Sequence, residues 1–87
     1  MKKDIFKTVV IFRKYEDNEV IALFPYDKET NDCCNSYMHL GQHANANYIG
    51  VISQTKPANE SEYKDLFNEL ENIGYNLKIQ LRALKLF

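Results

Sequence analysis

The stretch Asn59–Gly74, NESEYKDLFNELENIG, reads as one amphipathic helix with a signal at each end. Its apolar side chains recur at helical spacing and share one face: Tyr63, Leu66, Phe67, Leu70 and Ile73. Asn59 is a suitable N-cap, and Glu62 stands where it completes a capping box. Gly74 tolerates the backbone conformation that ends a helix. The rest of the chain must therefore offer this helix an apolar surface.

The opposite side of this helix carries charged and amide side chains. We expect it to be an ordinary solvated face, formed by Glu60, Asp65, Asn68, Glu69 and Asn72.

Strand signals flank the helix. Residues 5–14 are rich in β-branched and aromatic types, and Glu19–Phe24 is nearly apolar, so we expect two strands joined by a turn. The turn is the polar segment Tyr15–Asn18. Pro25 is expected to end the second ladder, because it has no backbone N–H. After the helix, Tyr75–Ala83 alternates apolar and polar side chains and predicts the last strand.

The segment before the helix is mostly polar. Tyr26–Asn35 predicts a loop. Ser36–Leu40 and Tyr48–Ser53 predict short strands, with a loop over Gly41–Asn47 between them and a bulge at Gly50.

Together these elements predict an α+β fold. The order is β-β-β-α-β, with the third strand element divided in two, in a single domain over residues 1–87. The sheet is mostly antiparallel with one helix packed on one face, and the last strand returns parallel beside the first. The first two strands are apolar on both faces, so either they are the central pair or a second copy covers the free face. Association would help so small a chain, and we expect a homo-oligomer.

Composition excludes several classes of function. The chain has 12 acidic and 11 basic residues, so it has no overall attraction to nucleic acid or membranes. Lys7, Arg13, Lys78 and Arg82 share the strand face opposite the helix, which we expect to be a solvated face. No run approaches the roughly 20 apolar residues of a membrane span. The adjacent Cys33 and Cys34 are expected to be reduced thiols, in agreement with a cytoplasmic protein.

The candidate ligand site is the central polar segment. It combines tyrosine rings, on which a planar ligand stacks, with imidazole and amide groups that donate and accept hydrogen bonds. We predict eight ligand-binding residues: Tyr26, Tyr37, Tyr48, His39, His43, Gln42, Asn47 and Arg13. Such a set is typical of a site for a nucleotide-like small molecule. We predict a binding protein rather than an enzyme, with no catalytic residue, metal or cofactor.

A second interpretation uses the thiols. Cys33 and Cys34 with His39 and His43 are zinc-ligand types, and a cysteine with a histidine base is the core of a cysteine hydrolase. Gly41 interrupts a helix through the two histidines, and the spacing matches no standard zinc motif.

The chain also resembles known groups of proteins. SYMHLGQHANANY (residues 36–48), TKP (residues 55–57) and EYKDLFNELENIGY (residues 62–75) are similar to short proteins from phages and mobile elements of gut Bacteroidetes. This resemblance implies a role as a non-enzymatic inhibitor of host defence, which blocks a host protein or sequesters a nucleotide signal. The hairpin phrase DNEVIALFP (residues 17–25) is similar to the N-terminal domain of HicB-type antitoxins, which implies a protein–protein interaction module. The glycine-rich segment and DNA-binding tail of those antitoxins are absent from this sequence.

Overall fold

The computed structural model describes residues 7–28, 30–38 and 42–80, with the side chain of Gln42 outside this set. In chain order the elements are β1 (Thr8–Lys14), β2 (Val20–Lys28), β3 (Cys33–Met38), β4 (Gln42–Asn47), α1 (Tyr48–Gln54), β5 (Lys56–Pro57), α2 (Glu60–Ile73) and β6 (Leu77–Ile79). The strands form one sheet in the order β4-β3-β2-β1-β5, and β6 also pairs with β1. The α+β class and the mostly antiparallel sheet are confirmed. The predicted strand residues 5–6 and 81–83 lie outside the described residues.

The predicted helix is confirmed as α2. The Asn59 side chain accepts from the Glu62 N–H, the Glu62 side chain accepts from the Asn59 N–H, and Gly74 follows the helix with φ +127°. Leu66 and Leu70 are buried against the sheet. Ile73, predicted for the same face, is 52% exposed because it is the last helical residue before the chain turns away.

One residue of the expected solvated face is bonded to the sheet. The carboxylate of Glu69 accepts a hydrogen bond from the hydroxyl of Tyr37, a residue of β3 that is buried beneath the helix. The prediction that Glu69 is only a solvated residue is therefore wrong.

The prediction for β2 and β3 is corrected. β2 does not end at Pro25 but continues to Lys28, and its pairing with β3 shifts register between Phe24 and Lys28. The shift accommodates the missing N–H of proline at an irregularity of the ladder. Tyr26–Lys28 and Cys33–Asn35, predicted as loop, are therefore strand residues.

The segment from Gln42 to Gln54 is also corrected. Gln42–Asn47, predicted as loop, is strand β4, because full antiparallel pairing with β3 overrides the weak strand propensity of its asparagines. Tyr48–Gln54, predicted as mostly strand with a bulge at Gly50, is helix α1. Asn47 caps it, and its side chain accepts from the Gly50 N–H at 2.7 Å. Such a short apolar run does not distinguish strand from helix by periodicity alone.

The two faces of the sheet are covered by different helices. On one face α2 packs over a cluster that includes Val10, Phe12 and Phe24. On the other, Tyr48 and the half-buried residues of α1 pack over Ile11, Ile21 and Leu23. Helix α1 therefore explains the apolar second face of the first two strands within one chain. Self-association stays a prediction.

Strand β6 runs parallel to β1, as predicted, with Thr8 opposite Leu77 and Val10 opposite Ile79. This return places Tyr75 and Asn76 beside the start of β1, where the Thr8 N–H donates to the Asn76 carbonyl at 2.7 Å. Within the described ranges, neither helix has the length and apolar character needed to span a bilayer.

Candidate functional site

A cleft opens where β1 and β2 stop pairing. Their paired residues run from Lys14–Val20 to Ile11–Leu23, and beyond that point β1 pairs with β6 while β2 follows β3 through its register shift. The strands separate there and leave a cleft of about 370 Å³. It is lined by Lys7, Thr8, Val9, Phe24, Tyr26, Asp27 and Tyr75. This volume falls within the range of small-molecule sites.

Aromatic rings form one wall of this cleft. Phe24 and Tyr75 stack with their ring centroids 5.1 Å apart and an angle of 8° between the ring planes. Phe24 is buried, whereas Tyr26, two residues along β2, is 62% exposed. The stacked pair is therefore fixed by packing, and the Tyr26 ring is available to a planar ligand.

Polar groups lie around the aromatic wall. Lys7 is exposed at the cleft, and the Asp27 carboxylate accepts from the Asn35 amide at 3.2 Å. His43 Nε2 lies 2.9 Å from the hydroxyl oxygen of Tyr75. Burial, and secondarily the negative charge of Asp27, raises the pKa of Tyr75, so its hydroxyl is protonated at neutral pH. The cleft thus offers a cation, a carboxylate and a neutral hydroxyl.

Three of the predicted ligand residues meet at or next to this cleft. Tyr26 lines it, and His43 reaches it through Tyr75. Tyr37 lies opposite His43 on the neighbouring strand, and their ring centroids are 4.7 Å apart. Because Tyr37 is 1% exposed, it supports the His43 ring from within the core rather than contacting a ligand.

Arg13 has a structural role on the other face of the sheet. Its side chain is buried and donates to the Thr55 hydroxyl at 2.9 Å and to the carbonyls of Ile52 and Thr55 at 3.0 and 2.7 Å. These carbonyls belong to the end of α1, where a cation is favoured by the helix dipole. Burial lowers the pKa of the Arg13 guanidinium, although the group stays charged at neutral pH. The prediction of a solvated Arg13 is therefore wrong.

Asn47 and Tyr48 are also engaged away from the cleft. The Asn47 side chain caps α1, and Tyr48 is 2% exposed in the cluster beneath that helix. The structure does not bring these two residues to Tyr26 and Tyr75. His39 and the side chain of Gln42 lie outside the described residues.

Sequence reasoning missed Tyr75 and Asp27 as site residues. The signal for Tyr75 was present, because a last strand returning parallel to the first places the residues just before it beside the start of β1. Asp27 belongs to Tyr26–Asn35, whose polar sequence predicts a loop, so the sequence does not indicate its position on β2.

The thiols and His43 do not form a catalytic pair. Cys33 lies opposite Asn47 and His43 lies opposite Tyr37, so about 13 Å of strand separates Cys33 from His43. Cys34 points to the other face, and its burial raises the pKa of the thiol to about 11, which disfavours the nucleophilic thiolate. Within residues 7–28, 30–38 and 42–80, no group of three His, Cys, Asp or Glu side chains is arranged to hold a metal ion.

The chain was compared with protein-family models, curated proteins and solved structures, and none of the three comparisons finds a match.

Proposed function

We propose that this protein is a non-enzymatic binding protein that sequesters a nucleotide-like small molecule in the cleft between Tyr26 and Tyr75. The observation that carries this proposal is the exposed Tyr26 ring at a cleft that the fixed Phe24–Tyr75 stack also lines. Stacking on aromatic side chains accepts any planar heterocycle.

The polar groups of the cleft suit the rest of such a ligand. The Asp27 carboxylate accepts hydrogen bonds from amino groups, as on the edge of a base, and Lys7 attracts one anionic group such as a phosphate. One lysine opposed by one aspartate makes a nearly neutral site. It therefore fits a nucleoside or a ligand with few phosphates better than a polyphosphate.

If the protein comes from a phage or mobile element, ligand binding would serve to inhibit a host defence. A small protein that removes a nucleotide signal from solution inhibits a host defence without any chemistry of its own. The distance between the cysteines and His43 supports a binding protein over the cysteine-hydrolase alternative. A direct interaction with a host protein is the alternative within the binding class.

Calorimetric titration of the full chain with a panel of nucleosides, nucleoside monophosphates and cyclic mono- and dinucleotides tests this proposal. We expect saturable binding of at least one member. Tyr26→Ala should weaken binding at least tenfold, and Lys7→Met should weaken a phosphorylated ligand more than its nucleoside. Ile49→Ala is the matched control, because Ile49 is a large exposed apolar residue on α1. If no member binds, or if Tyr26→Ala binds as tightly as the unaltered chain, the proposal fails.

A further inference from the structure

Strand β4 is an edge strand of the sheet. In the described part of the chain it pairs with β3 on one side and with nothing on the other. Its sequence, QHANAN, contains no Lys, Arg, Asp, Glu or Pro. Monomeric proteins commonly protect an edge with such residues, because a free edge presents unpaired backbone groups to other strands.

The hydrogen-bond pattern identifies which backbone groups of β4 point outward. The Tyr48 N–H donates to the Asp32 carbonyl at 3.0 Å, in register with the β3–β4 pairs. In an antiparallel ladder, hydrogen-bonded and non-hydrogen-bonded pairs alternate. The backbone N–H and C=O groups of Ala44 and Ala46 therefore point toward β3, whereas those of His43 and Asn45 point away from it. The Ser36 hydroxyl donates to the Ala44 carbonyl at 2.8 Å, in agreement with this direction. The N–H and C=O groups of His43 and Asn45 therefore lie along the outer edge.

We infer that this edge pairs with the same edge of a second copy of the chain, in an antiparallel register centred on Ala44. In that register His43 lies opposite Asn45 of the partner subunit, and the outward N–H and C=O groups of both residues form hydrogen-bonded pairs. Ala44 lies opposite Ala44 of the partner subunit, where the small side chains allow close approach.

The edge is self-complementary, which is what a twofold contact requires. Because the strand contains no Lys, Arg, Asp or Glu, pairing it with itself brings no like charges of these residue types together, and carboxamide side chains both donate and accept hydrogen bonds. His43, Ala44 and Asn45 are all exposed in the single chain, so pairing requires no rearrangement of the core. One strand pair is a small contact, and we expect a weak dimer whose population rises with concentration.

Charge exchange at Ala44 tests this register without disturbing the core. Sedimentation velocity of the full chain, from low micromolar to about 1 mM, should show a monomer–dimer equilibrium. Ala44→Lys alone and Ala44→Glu alone each place like charges directly opposite one another, so each should weaken association at least fivefold. An equimolar mixture of the two variants should associate more tightly than either alone.

The matched control is Gln54→Lys, which adds the same charge at an exposed position on α1. It should leave the dissociation constant within twofold of the unaltered chain. A chain that stays monomeric at all concentrations overturns the inference. So does a dimer that Ala44→Lys leaves intact, or a mixture that associates no better than its components. These measurements need no ligand, so they stand apart from the outcome for the Tyr26 cleft.

Discussion

The hydroxyl oxygen of Tyr75 lies 2.9 Å from Nε2 of His43, and this contact joins the segment after α2 to the edge strand β4. The Tyr75 ring also stacks on Phe24 of β2. Tyr75 therefore links the helix end, the middle of the sheet and its edge, and it forms part of the candidate cleft.

The two contacts of Tyr75 are separable by mutation. Tyr75→Phe keeps the stack and removes only the hydroxyl, so it should lower the free energy of unfolding by about 0.5–1.5 kcal/mol. Tyr75→Ala also removes the stack and should cost at least about 0.5–1.5 kcal/mol more. Urea denaturation of both variants measures this difference. Equal losses would show that the ring stack contributes nothing.

Arg13 is expected to act as the cap of α1 rather than as a ligand residue. Arg13→Met keeps an apolar stem but removes the guanidinium donor from the carbonyls of Ile52 and Thr55, so it should cost about 1–3 kcal/mol of stability. The Ile52 carbonyl then keeps the Thr55 N–H as a donor, at 3.5 Å. Lys64→Met, on the exposed side of α2, removes the same charge and should stay within about 0.5 kcal/mol of the unaltered chain. Urea denaturation measures both. If Arg13→Met lowers the ligand affinity and leaves the stability unchanged, Arg13 binds the ligand and does not act as the cap of α1.

The buried thiol of Cys34 should make the folded chain less stable as the pH becomes alkaline. Its pKa rises from 9.0 to about 11 in the folded chain because the thiol is buried. The folded state therefore holds this proton more strongly than the unfolded state, and stability from this group is lost as pH rises from about 9 to 11. Other groups also titrate in this window, so the measurement is the difference between the unaltered chain and Cys34→Ala in thermal melts.

In the unaltered chain the melting temperature should fall more steeply between pH 9 and pH 11 than in Cys34→Ala. Parallel curves would contradict burial of the thiol. Alkylation gives a second check, because Cys34 should react with a maleimide only after the chain unfolds, whereas half-buried Cys33 is accessible in the folded state.

The parts of the fold that local signals specify were predicted from the sequence. Helix α2 has a capping box and an apolar face, and both are read directly from Asn59, Glu62 and the spacing of Leu66 and Leu70. The parallel return of β6 follows from its position after a helix. The cap and apolar face of α2 depend on residues that are close together in the chain, whereas the return of β6 follows a general rule for strands connected through a helix.

Two other parts, which depend on contacts between particular residues far apart in the chain, were not predicted. QHANAN has a poor strand sequence and is a strand only because β3 pairs along its whole length. Likewise, Arg13 looked solvated because nothing near it in sequence supplies the carbonyls of α1 that bind it. The candidate site is predictable only in part. The side-chain chemistry of Tyr26 and His43 indicates ligand binding, but only the register of the sheet shows that Tyr75 lies beside them.

Gly74 should tolerate no side chain. At φ +127° an alanine is strained, although its Cβ would contact nothing within 4 Å, so the cost is purely conformational. Gly74→Ala should lower the free energy of unfolding by about 1–3 kcal/mol. Asn72→Ala, at an exposed position two residues earlier, should change the free energy of unfolding by less than about 0.5 kcal/mol. A similarly small value for Gly74→Ala in the same urea titration would contradict the observed cap.

The hydrogen bond between Tyr37 and Glu69 should couple β3 to helix α2. The Tyr37 ring is 1% exposed, and its hydroxyl donates to a carboxylate on the helix, so Tyr37→Phe should cost about 1.5–3 kcal/mol. If the loss of this hydrogen bond causes the destabilisation, Tyr37→Phe should lower the free energy of unfolding much less in a chain that already carries Glu69→Ala. A double-mutant cycle by urea denaturation measures this coupling, with Glu71→Ala on the exposed side of the same helix as the matched control. Additive effects of the two substitutions would mean that the hydrogen bond between Tyr37 and Glu69 contributes nothing to stability.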